Sequence, residues 1–156
     1  MNSTDPLRRP SEPARILLVE DDPGDVLITR ESLAESQVAC DLSVVDDGQM
    51  ALDYLHKRGA YADAPTPHLV LLDLNLPKVS GHEVLAEVKG DPDLAPIPVI
   101  VLSTSAADED VLQTYALHAN AFITKPVDFD RFHDVVRSID HFFLNVAQLP
   151  RRRDDG

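Results

Sequence analysis

The chain has 156 residues and a formal net charge of −13, from 14 basic and 27 acidic side chains, a length that suits one domain burying roughly 70% of its unfolded surface. That charge opposes a phosphate backbone and argues against sequence-independent nucleic-acid binding. A single cysteine, Cys40, excludes an intramolecular disulfide or a Cys-based zinc site and fits a reducing cytoplasm. No stretch approaches the ~18 consecutive apolar residues of a membrane helix, and the opening "MNSTDPLRRPSEPAR" lacks the apolar centre of a signal peptide.

Residues 1–14 carry Pro6, Pro10 and Pro13 with almost no periodicity and are expected to form a disordered lead. From residue 15 apolar runs alternate with helical patterns. "RILLV" (15–19) leads into "GDVLITRESLAES", "CDLSVV" (40–45) into "GQMALDYLHKR", and "HLVLL" (68–72) into "GHEVLAEVKG". "PVIVL" (98–102) then leads into "DEDVLQTYALH", and "NAFIT" (120–124) into "DFDRFHDVVRSIDHFFLNVAQL". Repeated strand–helix units imply an α/β fold, a doubly wound five-stranded parallel sheet with helices on both faces, because right-handed crossovers place helices there. The domain is expected to span 15–147. The tail, 148–156, holds "RRR" followed by Asp154 and Asp155, read as solvated, with a small Arg-based docking patch as the alternative.

"ILLV", "LVLL" and "VIVL" are continuously apolar and should be central, whereas the mixed "CDLSVV" should lie at an edge. The flavodoxin-like order 2-1-3-4-5, taken over from doubly wound sheets of that kind, satisfies this. Ligands of such sheets bind beyond the carboxyl ends of the strands, where strands 1 and 3 diverge, which directs attention to the residues after 19, 72 and 102.

After the first strand, Pro23 suits the first helical position and makes Asp22 a natural N-cap. Glu20 and Asp21 are left without such a role. Asp73 ends the apolar run of the third strand, where a carboxylate is costly to bury. Three carboxylates would converge, and two like charges about 4 Å apart repel by ~4 kcal/mol at an effective dielectric of ~20. Such a cluster needs a proton or a cation, and hard oxygen ligands suit Mg2+. The competing reading is that these side chains point into solvent and cap helices. The fourth strand leads into Ser103 and the fifth into Lys125 and Pro126. Carboxylates, a hydroxyl and an ammonium together can hold a phosphoryl group, although alone Ser103 could be a cap and Lys125 a solvated lysine.

Other groups invite less. Asp46 and Asp47, followed by Gly48, read as a turn and cap beside the edge strand. The glycines form neither GxGxxG nor a P-loop, and the histidines no HExxH; His133 and His141 read as surface or packing residues of the last helix.

The motifs "ILLVEDDP", "LVLLDLNLPKVSG", "VIVLSTS" and "AFITKP", in this order, resemble the receiver domain of two-component response regulators over about residues 15 to 140. The resemblance implies that Asp73 accepts a phosphoryl group from a phosphohistidine of a sensor histidine kinase. It also implies that Glu20, Asp21, Asp73 and the backbone carbonyl of Asn75 hold Mg2+. Ser103 then resembles the switch hydroxyl and Lys125 the phosphate-binding lysine, while Phe122 stands at the switching aromatic, where the family often has tyrosine. Gly81 matches the loop glycine, where positive φ would exclude most residues, and the Lys125–Pro126 peptide is expected to be cis.

"YLHKRGAYADAPTPHLVLLDLNLPK", "YALHANAFITKP" and "FFLNVAQLP" further resemble the stand-alone regulators that serve bacterial phytochrome kinases. No output domain is expected, so the message should leave through a surface. Activity would be limited to self-catalysed phosphotransfer and slow autodephosphorylation. An aspartyl phosphatase of the haloacid-dehalogenase kind would need an acid two residues after its nucleophile, where Asn75 stands. A receiver-like module that is never phosphorylated is the third reading. On the last helix, Phe142, Phe143 and Val146 continue an apolar stripe beyond the length that covers one sheet face. They are expected to support a homodimer through the helix 4–strand 5–helix 5 face; the alternative is that they fold back on their own domain.

Overall fold

The computed structural model describes residues 13–36, 39–103 and 121–124, with Asp134 and Arg137. The elements are strand β1 (Ala14–Val19), helix α1 (Pro23–Leu33), β2 (Cys40–Val45), α2 (Gly48–His56), β3 (Leu69–Asp73), α3 (Gly81–Gly90), β4 (Val99–Ser103) and β5 (Ala121–Thr124). The sheet has the expected order β2-β1-β3-β4-β5, and β1–β3, β3–β4 and β4–β5 pair in parallel. The expected fourth helix lies outside the described residues. Of the last helix, Asp134 and Arg137 are described, both helical and joined by an exposed ion pair of 2.8 Å.

The chain divides into two compact units. Among the described residues, 15–26 with those from 42 to 124 form one; 13–14, those of 27–41, Asp134 and Arg137 belong to the other. In the second, the 27–33 stretch of α1 buries Thr29, Ser32 and Leu33.

The first unit carries the sheet core. Leu17, Val19, Val70, Leu72, Val99 and Val101 alternate with Ile16, Leu18, Leu69, Leu71 and Leu102, and all are buried. Continuous apolar runs are therefore what a sheet dry on both faces requires. β2 holds a single fully buried residue, Val45, as befits an edge. Ala51, Leu52, Tyr54 and Leu55 of α2 and Val84, Leu85 and Val88 of α3 join one cluster with Leu17, Val19, Val70, Leu72, Val99 and Val101. Their spacing follows the helical repeat, and each large side chain so buried contributes about 1.5–3 kcal/mol.

Two ties join α2 and α3 near their carboxyl ends: His56 Nε2 lies 2.9 Å from Glu87 Oε2 and His56 Nδ1 3.8 Å from Asp91 Oδ2. Lys89 donates to the carbonyls of Ala95 and Ile97 at 3.0 and 2.7 Å, holding the segment that leads into β4. A capping box starts α3, with the Glu83 N–H donating to Ser80 Oγ and the Ser80 N–H to Glu83 Oε1.

β3 and β4 each run one residue further than their apolar stretches, ending on Asp73 and Ser103. The ladder causes this, since the Leu74 N–H still donates to the Leu102 carbonyl at 3.0 Å.

Candidate functional site

The strand register assembles the site. Val19 of β1 pairs with Leu72 of β3, so one further step brings Glu20 level with Asp73. The Glu20 N–H donates to the Val45 carbonyl at 3.0 Å, which holds this residue in line with the sheet although β1 has ended. Asp73 in turn pairs with Leu102 of β4.

Glu20, Asp21 and Asp73 meet there, each offering a carboxylate oxygen within 4.8 Å of the others. Glu20 is 1% exposed and Asp73 3%, whereas Asp21 faces solvent. Main-chain donors satisfy part of the buried charge: the Asp22 N–H reaches Glu20 Oε2 at 3.1 Å and the Asn75 N–H reaches Asp73 Oδ1 at 2.9 Å. Asp22 stands aside as expected: its Oδ1 accepts from the Gly24 N–H at 2.8 Å and its carbonyl from the Val26 N–H at 3.0 Å, which caps α1 behind Pro23.

Ser103 closes β4 and pairs with Thr124 of β5. Phe122 pairs with Val101. The side chains of Ser103 and Phe122 lie outside the described residues, as do Lys125, its peptide with Pro126, His133, His141, Phe142, Phe143 and Val146.

Gly81 corrects one expectation. Among the described residues the glycine with positive φ is Gly59, at 56°; Gly81 begins α3 without it. Its requirement is space: a Cβ there would lie 2.5 Å from Leu74 Cα and 3.1 Å from the Asp73 carbonyl carbon. The left-handed residue of this loop is Lys78, at φ 66°, a conformation that costs a non-glycine residue about 1–3 kcal/mol.

Asp47 caps α2 by accepting the Met50 N–H on Oδ1 at 2.7 Å, as its sequence context suggests. It also does what that context hides, since its Oδ2 lies 3.5 Å from Lys78 Nζ. Beside it Gly48 abuts the loop after β3, where a Cβ would lie 2.7 Å from the Val79 carbonyl carbon and 2.9 Å from Val79 Cβ. The one signal in the sequence is a glycine directly behind a cap residue.

The profile of the response regulator receiver domain matches residues 16–137. The chain belongs to this family. Among relatives of this receiver, response regulator Rcp1 of Synechocystis sp. is 44% identical over 138 residues, spanning 88% of this chain and 94% of Rcp1. The crystal structure of the phosphorylated cyanobacterial phytochrome response regulator RcpA superposes with a TM-score of 0.80 at 46% identity, covering 89% of this chain and 99% of RcpA. A Mn2+-bound form of Rcp1 gives a TM-score of 0.79 at 43% identity, covering 88% and 99% of the two chains. The donor set of this receiver, oxygen atoms only and two of the three carboxylates buried, fits a hard divalent ion.

Proposed function

We propose that this receiver is a response regulator phosphorylated on Asp73 by a sensor histidine kinase of the phytochrome type. The observation that carries this reading is the meeting of Glu20 and Asp21 with Asp73 at the carboxyl edge of the sheet. Its similarity to a phytochrome response regulator supports the class of kinase. The cytoplasm is its expected site of action; no described helix is long and apolar enough to cross a membrane.

A carboxylate oxygen of Asp73 attacks phosphorus as the P–N bond of the phosphohistidine breaks, and the imidazole leaves with the electron pair. Mg2+ held by Glu20, Asp21, Asp73 and the Asn75 carbonyl would offset the repulsion between that carboxylate and the phosphoryl oxygens. The Asn75 N–H orients the Asp73 carboxylate. Lys125 and Ser103 bind the transferred group through an ammonium and a hydroxyl, and Phe122 follows Ser103 in the switch. Hydrolysis of the acyl phosphate by water returns Asp73 to its starting state. The signal leaves through a homodimer formed by the helix 4–strand 5–helix 5 face, supported by the apolar stripe of Phe142, Phe143 and Val146.

Incubation with acetyl phosphate and Mg2+ tests the acceptor. The intact mass should rise by one phosphoryl group, and Asp73→Asn should abolish the gain. An Asp73→Asn protein that is still labelled overturns the assignment. Ser103→Ala should remain labelled, whereas Lys125→Ala should be labelled poorly or transmit no change.

A further inference from the structure

The loop 74–80 begins at the proposed acceptor and is pinned from outside. Gly48 allows it no room at Val79, where the nearest atoms are those of its carbonyl and Cβ. Asp47, 6% exposed, divides one carboxylate between two tasks: Oδ1 caps α2 at Met50, and Oδ2 faces Lys78 Nζ. Lys78 holds a left-handed conformation, which turns the chain sharply at the point where α2 meets it. The far end is closed as well, because the Gly81 N–H donates to the Leu74 carbonyl at 3.1 Å and Gly81 has no space for a side chain against Leu74. Inside these limits the Asn75 N–H holds Asp73 Oδ1. A displacement at Val79 is therefore expected to pass along this short, closed loop to Asn75 and Asp73.

We infer that Asp47 and Gly48 are positioning residues for the acidic site: the first turn of α2 fixes the 74–80 loop and, through it, the aim of the Asp73 carboxylate and the Asn75 carbonyl. The inference rests on the reading of Asp73 as phosphoacceptor and metal ligand. Its physical basis is general, since groups that orient metal ligands without touching the ion commonly alter affinity by about 10–100-fold when changed.

Mn2+ binding is the direct test, followed through the electron paramagnetic resonance signal of the free aqua ion, with thermal melting measured on the same samples. Gly48→Ala should weaken Mn2+ by about tenfold. Asp47→Ser keeps an oxygen for the Met50 N–H but cannot reach Lys78; it should melt like the wild type and still bind Mn2+ several-fold more weakly. Raising Mg2+ should restore its labelling by acetyl phosphate, a recovery that a damaged fold would not give. Gly90→Ala, at a glycine with open space around it, should bind Mn2+ as the wild type does. Wild-type affinity in both Gly48→Ala and Asp47→Ser overturns the inference, and if Gly48→Ala does not fold, Asp47→Ser decides alone. Wild-type Mn2+ affinity in Asp73→Asn instead removes the reading beneath it, an outcome told apart by the variant in which it occurs.

Discussion

Glu20 and Asp73 set buried like charges within 4.8 Å of each other. At an effective dielectric of ~20 such a pair repels by about 3–4 kcal/mol before its hydrogen bonds are considered. Glu20→Gln keeps the shape and an oxygen for the Asp22 N–H while removing that repulsion. The ion-free variant should therefore be more stable than the wild type, on the order of 1 kcal/mol, as at other sites where function opposes stability. Chemical denaturation in the presence of a chelator measures it. Lys89 presents the opposite case, a cation whose half-burial lowers its pKa from the ordinary 10.5 through desolvation. Lys89→Met leaves the Ala95 and Ile97 carbonyls without their donor and should cost about 1–3 kcal/mol. The pH dependence has a definite sign. A lysine depressed in the fold makes its titration-linked contribution in full above 10.5 and loses it as pH falls through the lowered folded value. The wild type should consequently gain on Lys89→Met as pH rises through that alkaline window, as paired melts would show.

At the scale of elements, the start of α3 carries an autonomous signal. Ser80→Ala removes the acceptor for the Glu83 N–H and should lower stability by about 1 kcal/mol, read as a shift in the denaturation midpoint. That box is written in the sequence as Ser80 three residues before Glu83. The strands were legible for the same reason: burial on both faces demands unbroken apolar runs, and the mixed run of β2 marks an edge. Asp73 was legible because a carboxylate ending such a run violates the pattern. Asp47–Lys78 and Gly48–Val79 join residues 31 positions apart, and no periodicity encodes a contact between the start of one helix and the loop before another. The role of Gly81 was hidden differently. Torsional freedom and lack of space select the same residue, and only the position of Leu74 Cα separates them.

For the whole molecule, an ion bound by the folded chain and not by the unfolded one stabilises by mass action. About 2.7 kcal/mol is gained at a free concentration one hundred times the dissociation constant. Mg2+ or Mn2+ should thus raise the melting temperature, a chelator should reverse the rise, and Glu20→Gln should show a smaller one. A protein whose melting temperature ignores both ions would contradict the proposed ligand set. The two carboxylates sealed beneath the end of the sheet also reach beyond signalling. Proteases act on transiently opened chains, and the population of open chains follows stability when reclosing is fast. With mutual repulsion lowering the stability of ion-free molecules, the lifetime of this protein against proteolysis should lengthen as free divalent ion rises, so that the pool available to its kinase follows the ionic state of the cell.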